Sequence, residues 1–299
     1  MIYIDHFSLP SQAVESGCFS STSPTYYATL YPFQVFSVKM FESIPMDDIT
    51  IFCGSNGSGK STLLNIIAEK LGLQRGSRFN RTELYGRYVG LTACNWTIAD
   101  PARKHDILGR SKIITSDDVF DHILDVRTRN ENIDFKRQVI LDRRAELRYD
   151  AGSRPKIIDM SDPDSVNAYV DYADMMNKSA SWFVKDRLGF NERTYSNGEN
   201  AFRYFTDAII PNGLYLLDEP ENSLSAQLQI DLSDFILGMA KNYGCQFIIS
   251  SHSPFVLATP YARIYDLDSC PVRTRRWTDL PNVRIYHEFF ESHRADFNV

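Results

Sequence analysis

Apolar residues along this chain fall into short runs separated by polar turns, and the regularity of the pattern changes twice. Ile49-Thr-Ile-Phe-Cys53 is a short, nearly continuous β-branched and aromatic run, the pattern of a strand buried on both faces. It leads into a glycine-rich turn at 54–59. Beyond it Leu63, Leu64, Ile66, Ile67 and Leu71 fall at helical spacing, with Gly72 as the stop. The same order returns near 195. A turn at Ser196-Asn197-Gly198 opens a helix with Ala201, Phe202, Phe205 and Ile209 on one face. Then follow a strand over Leu214–Leu217, a helix over Ser225–Lys241, a strand over Gln246–Ser250 and a strand-like segment at Arg263–Leu267. Strands alternating with helices predict an α/β fold, a mixed sheet flanked by helices.

The remainder is less orderly. Residues 33–40 (FQVFSVKM) read as a strand with imperfect alternation. A charged helix is expected from Thr115 to Asp150, with Ser116-Asp117-Asp118 as its cap. Pro155 and Pro163 interrupt the pattern before another helix at 164–187. The expected organisation is one domain over 1–299. Residues 1–74 and 195–299 form its core, and 75–194 form an inserted, mainly helical segment.

Composition narrows the class. At 299 residues and 43% hydrophobic, the chain is neither disordered nor fibrous. No apolar run reaches the ~18–20 residues that a membrane span needs, and the start lacks the basic and apolar regions of a secretory signal. Five scattered cysteines without C-x-x-C spacing read as reduced thiols, so a cytoplasmic protein without membrane insertion is expected. The net charge of −6 is uneven. Residues 75–148 hold 15 Lys/Arg and 11 Asp/Glu, and 75–112 hold 8 basic and 3 acidic. A solvated helical face explains this more simply than a nucleic-acid patch. Tyr85, Tyr88 and Trp96 are expected in the core rather than as platforms for bases.

The chemistry concentrates in three places. Gly54-Ser55-Asn56-Gly57-Ser58-Gly59-Lys60-Ser61 fits G-x-x-x-x-G-K-[ST]. Its glycines allow successive N–H groups to aim at phosphates, and the following helix adds its positive end. Lys60 would reach the β- and γ-phosphates of a nucleotide, the Ser61 hydroxyl would sit on Mg²⁺, and Thr62 completes the expected nucleotide-binding stretch. The strand at 214–217 ends in Asp218-Glu219-Pro220. Asp218 would hold Mg²⁺, commonly through water, and Glu219 would act as general base toward the attacking water. His252, just past the strand at 246–250, stands where ligand groups collect in open α/β sheets. It would bond the γ-phosphate or the water, although a lone histidine there is more often structural.

Together with Tyr195-Ser196-Asn197-Gly198-Glu199, these elements resemble the ATP-binding-cassette branch of P-loop ATPases. The whole chain resembles small stand-alone bacterial ATPases of that type in the AAA family, in which phrases like Tyr31-Pro-Phe, GLYLLDEPE and HSP recur. The resemblance implies a head-to-tail homodimer with two ATP molecules between subunits. Ser196, Asn197, Gly198 and Glu199 would be the signature segment, and Glu221-Asn222-Ser223-Leu224-Ser225 the D-loop, with the signature segment and Asn222-Ser223 serving the partner's nucleotide. Two features depart from the pattern: Asn197 replaces the usual glycine, and neither Gln74 nor Gln138 makes a convincing Q-loop. The function expected is Mg-dependent ATP hydrolysis driving a change in an unknown protein partner. The alternatives are a transporter's nucleotide-binding subunit and a nucleic-acid-associated ATPase of repair or defence. The overcoming-lysogenization-defect relatives append a metal-binding nuclease domain, and the 47 residues after His252 are too few for one.

Overall fold

The computed structural model describes residues 1–19, 29–156, 162–188, 190–191 and 196–297. The chain divides into two compact units, Met1–Phe120 with Ser196–Val299, and Asp121–Tyr195. In chain order the elements are β1 (Ile4–Ser8), α1 (Gln12–Phe19), β2 (Ser43–Pro45), β3 (Ile49–Cys53), α2 (Lys60–Leu71), α3 (Tyr85–Leu91), β4 (Ala93–Trp96), α4 (Pro101–Arg110), β5 (Lys112–Thr115) and α5 (Ser116–Tyr149). They continue with α6 (Pro163–Asn177), α7 (Ala180–Leu188), α8 (Asn197–Ala208), β6 (Leu214–Asp218), α9 (Ala226–Asn242), β7 (Gln246–Ser250), α10 (Pro254–Leu257), β8 (Arg263–Asp266), β9 (Arg273–Thr274) and α11 (Pro281–Ser292).

The main sheet of the first unit has the order β5-β6-β7-β3-β8-β9. Its first five strands are parallel and β9 is antiparallel, so the fold is the mixed α/β one. Every position of β3 and β7 is buried, which is why both read as continuous apolar runs. Leu63, Leu64, Ile66 and Ile67 of α2 are fully buried, at about 2 kcal/mol of transfer energy each, and α2 packs on β6 and β7. Gly72 ends that helix in a left-handed conformation at φ 65°. Tyr85 and Tyr88 lie in the same core, as expected, and Trp96 packs against it. Among the described residues, no helix is long and apolar enough to cross a membrane.

A second, antiparallel sheet has the order β2-β1-β4. The sequence pattern did not reveal it, because two of its strands are only three and four residues long. Gln246, the first residue of β7 and fully buried, ties it to the main sheet. Its Oε1 accepts from the Tyr3 and Ile4 amides at 2.9 and 3.0 Å, and its Nε2 donates to the Ile4 and Asp47 carbonyls at 2.8 and 3.1 Å.

Four expectations need correction. Residues 33–40 form turns and a short 3₁₀ helix at Ser37–Lys39, not a strand. The buried Glu15 carboxylate accepts from the Gln34 amide and the Ser37 hydroxyl, while Gln34 and Met40 adopt φ values of 65° and 51°. Phe33, Phe36 and Phe41 are all buried at spacings that no flat strand permits. The start of α5 is held by a reciprocal cap between Thr115, which lies outside the expected Ser116-Asp117-Asp118 cap, and Asp118, which lies within it. The Asp118 amide donates to Thr115 Oγ1, and the Thr115 amide and hydroxyl donate back to the Asp118 carboxylate. Residues 75–120 belong to the first unit, since β5 pairs with β6 along its length.

The fourth correction lies in the second unit. The single helix expected over 164–187 is two, α6 and α7, because Lys178 is extended at ψ 153°. Arg144 explains the break by donating to the carbonyls of Met175 and Lys178. Leu147, Met175 and Phe183 form the small core of this unit.

Gln246→Ala would strand two buried amides and two carbonyls, each costing about 1–3 kcal/mol. Urea unfolding should show at least about 3 kcal/mol of lost stability. A loss under about 1 kcal/mol would mean that the two sheets are not held through this side chain.

Candidate active site

The parallel register decides where the chemistry gathers. Phe52 lies opposite Ser250, and Ser250 opposite Asp218, so the 54–59 loop, Ser250 and Asp218-Glu219 all leave the sheet at its carboxyl edge. Ser55, Asn56 and Gly57 form the exposed tip of the loop, whereas Gly54, Ser58 and Lys60 are buried. Gly57 and Gly59 take φ values of 82° and 103°, which residues with a Cβ rarely adopt. A Cβ on Gly59 would also stand 3.1 Å from Val35 and Phe36. No side chain caps α2, so its first N–H groups and its dipole face the loop without an internal acceptor.

Lys60 is 4% exposed, and its Nζ donates to the Gly54 and Ser55 carbonyls at 2.9 and 3.2 Å. It also lies 3.4 Å from Glu219 Oε1. The Ser61 hydroxyl donates to Asp218 Oδ1 at 3.0 Å, and the Ser250 hydroxyl donates to the same oxygen. Burial pushes the Asp218 carboxyl above the usual carboxylate range; those two hydroxyls, and more weakly Lys60, draw it back. Glu219 sits in a left-handed conformation at φ 48°, unusual for a residue with a side chain. Its amide donates to the Ser250 carbonyl and hydroxyl at 3.1 and 3.0 Å, which offsets the strain.

The structure therefore brings the 54–62 loop, Asp218 and Glu219 into one cluster. His252 sits on the loop after β7, with Nδ1 3.2 Å from Glu221 Oε1. Asn222, expected to serve a partner's nucleotide, donates through Nδ2 to Glu219 Oε2 of its own chain at 3.1 Å. Ser196 and Glu199 form a reciprocal cap on α8, in which the Ser196 amide and hydroxyl donate to Glu199 Oε2 at 3.0 and 2.9 Å. A Cβ on Gly198 would stand 3.4 Å from the Ser223 carbonyl, so the 196–199 and 222–223 segments adjoin. Tyr195 lies outside the described residues.

Two braces on the loop were not legible in the sequence. Lys39 Nζ donates to the Ser58 and Leu267 carbonyls at 2.6 and 2.8 Å. Asp268 accepts from the Ser55 amide and hydroxyl at 2.7 and 2.8 Å. Neither residue stands in a motif, and each is distant in sequence from what it holds. Tyr31, whose hydroxyl donates to Thr62 Oγ1 at 3.1 Å, carried a signal only as part of the Tyr31-Pro-Phe phrase.

Residues 96–258 match the family described as "AAA domain, putative AbiEii toxin, Type IV TA system". The chain belongs to this family. The match spans Asp218, Glu219 and His252, while the phosphate loop of this AAA-domain protein precedes it. No curated protein matches the sequence. Among solved structures, the Smc head domain bound to the C-terminal domain of ScpA, derived from Pyrococcus furiosus, is similar at 14% identity and TM-score 0.43, covering 98% of this chain and 100% of that one. The dimeric post-hydrolysis state of the ATP-binding cassette MJ0796 bound to ADP and Pi is similar at 14% identity and TM-score 0.36, covering 79% and 88%. A putative metal-chelate type ABC transporter is similar at 15% identity and TM-score 0.36, covering 79% and 75%.

If Lys39 and Asp268 hold the loop of this AAA-domain protein in shape, Lys39→Ala and Asp268→Ala should each weaken ATP binding about tenfold, or 1.4 kcal/mol. Calorimetric titration measures this, and unchanged affinity in both variants would remove the braces from the account.

Proposed function

We propose that this protein binds ATP with Mg²⁺ and hydrolyses it in a homodimer whose two sites lie between subunits. The observation that carries the reading is the convergence of Ser61 Oγ on Asp218 Oδ1, beside a lysine held between loop carbonyls and Glu219.

In this reading Gly54, Ser55, Asn56, Gly57, Ser58, Gly59, Lys60, Ser61 and Thr62 bind the nucleotide. The uncapped start of α2 and the Lys60 ammonium neutralise phosphate charge. Ser61 and Asp218 offer a hydroxyl and a carboxylate, the hard oxygen donors that suit Mg²⁺, which commonly takes one or two such protein groups besides phosphate and water. Bound there, Mg²⁺ would neutralise negative charge on the nucleotide's phosphates. The arriving phosphates compete for Lys60 and release Glu219 Oε1 from its ion pair. Asn222 holds Oε2 until closure takes its amide to the partner's nucleotide, and the carboxylate then turns to the attacking water as general base. His252 bonds the γ-phosphate or that water.

The second subunit completes each site through Ser196, Asn197, Gly198, Glu199, Asn222 and Ser223. Its Ser196 meets the phosphate only once Glu199 leaves the cap, since a carboxylate and a phosphate repel one another. The whole chain acts as one ATPase domain with a helical insertion, transmitting closure to a protein partner. A role in a defence system, with nucleic acid as a further partner, is the second reading. The defence role rests on the family description, which names a putative toxin of a type IV system, and the nucleic-acid partner on the excess of 15 Lys/Arg over 11 Asp/Glu across residues 75–148.

Glu219→Gln should lower turnover by about 10²–10⁴, keep ATP binding and trap a dimer on size-exclusion chromatography. Lys60→Ala should lose binding instead. Wild-type turnover in Glu219→Gln would remove Glu219 as the base. For the second reading, nucleic-acid affinity should fall steeply with salt, and no binding at low salt would exclude it.

A further inference from the structure

Glu221 lies three residues beyond Asp218, in the turn after the general base, and it is 5% exposed. A buried carboxylate needs donors, and Glu221 finds them in one place. Its Oε1 accepts from the Ser251 hydroxyl at 2.8 Å, the His252 amide at 2.8 Å and the Ser253 amide at 3.2 Å. Its Oε2 is buried without a hydrogen-bond partner, so the turn gives up one oxygen while the other gathers the His252 loop. His252 is fixed from a second side, since Asn282 Nδ2 donates to its carbonyl at 2.7 Å. Gln229 repeats the link, donating to the Leu224 carbonyl at 2.9 Å and accepting from the Ser253 hydroxyl at 2.6 Å.

The imidazole lies against this arrangement: Nδ1 is buried, makes no hydrogen bond, and has Oε1 3.2 Å away. Oε1 accepts from three donors and has no hydrogen of its own to give. A bare Nδ1 would therefore oppose one lone pair to another, and only Nδ1–H makes the contact favourable. With Nδ1 turned to Glu221, Nε2 becomes the ring nitrogen left for a ligand.

We propose that Glu221 is the positioning residue for His252, holding the 251–253 loop and fixing the imidazole as the Nδ1–H tautomer so that Nε2 meets the reacting phosphate or water. This rests on the reading of His252 given above. The tautomer itself does not depend on it.

Ring-¹⁵N histidine spectra of the full chain, near pH 8 so that imidazoles are neutral, test the proposal directly. His252 is assigned by its loss in His252→Ala. The wild-type ring should report Nδ1–H. Glu221→Gln keeps an acceptor oxygen and should retain that tautomer, whereas Glu221→Ala should revert to the Nε2–H form usual in water. In steady-state assays Glu221→Ala should lower kcat about 10–100-fold, the usual effect of removing a group that orients a functional histidine, with KM for ATP little changed. The double variant Glu221→Ala/His252→Ala should be no slower than His252→Ala alone, as for residues acting as one unit.

An Nε2–H wild-type ring, an unchanged spectrum in Glu221→Ala, or multiplicative kinetic losses would overturn the proposal. The wild-type and Glu221→Gln spectra decide it even if Glu221→Ala fails to fold. A chain without ATPase activity but with Nδ1–H at His252 would overturn the proposed function and leave the positioning intact.

Discussion

The parallel register of β3, β7 and β6 sets Phe52, Ser250 and Asp218 in one row, and the rest of the site depends on that row. Just beyond it the chain becomes the phosphate loop after Cys53 on one strand, Glu219 on the second and the His252 loop on the third. A shift of one residue in either pairing would turn Asp218 to the opposite face of the sheet and part it from Ser61 and Ser250. The depth of burial in β3 and β7 opposes such a slip, because every side chain of both strands is already committed to the interior.

That same edge concentrates charge where little water reaches. Lys60 and Glu221 are almost wholly buried, and Asp218 and Glu219 partly so. Each is compensated in a different way. Lys60 takes two carbonyls and an ion pair, Asp218 takes two hydroxyls, Glu219 takes the lysine and an amide side chain, and Glu221 takes backbone and hydroxyl donors. Such compensation is what makes burial of charge tolerable. In the function proposed above it also makes the cluster responsive: a phosphate that claimed Lys60 would release Glu219, so substrate binding and arming of the base would be linked by one ion pair.

What could be read in the sequence was what is local. The 54–61 loop, the acidic end of β6 and the histidine after β7 each lie within one continuous stretch whose pattern carries its own chemistry. The reciprocal cap between Ser196 and Glu199 is local too, and the Ser196-Asn197-Gly198 turn marked it. The misses are contacts between distant segments. Glu15 bends the 33–40 segment, Arg144 breaks the helix at Lys178, Gln246 joins two sheets, and Asp268 reaches Ser55. None of these partners is predictable from periodicity, because each is chosen by the tertiary fold. Residues 75–120 read as part of the insertion for a related reason. The strand β5 is only four residues long, and its membership of the sheet is visible only in its pairing with β6.

The central claim is that ATP is hydrolysed at a site that needs two chains. The most direct measurement is a mixture of two inactive variants, Lys60→Ala, which lacks its own phosphate site, and Ser196→Arg, which blocks what a chain offers its partner. Their heterodimer contains one site built from an intact loop and an intact 196–199 segment. The account predicts that ATPase activity, absent from each variant alone, returns on equal mixing and rises to about a quarter of the wild-type rate per dimer, because about half the dimers are heterodimers and each holds one intact site of two. A mixture as inactive as its components, or a Ser196→Arg variant as active as wild type, would contradict it.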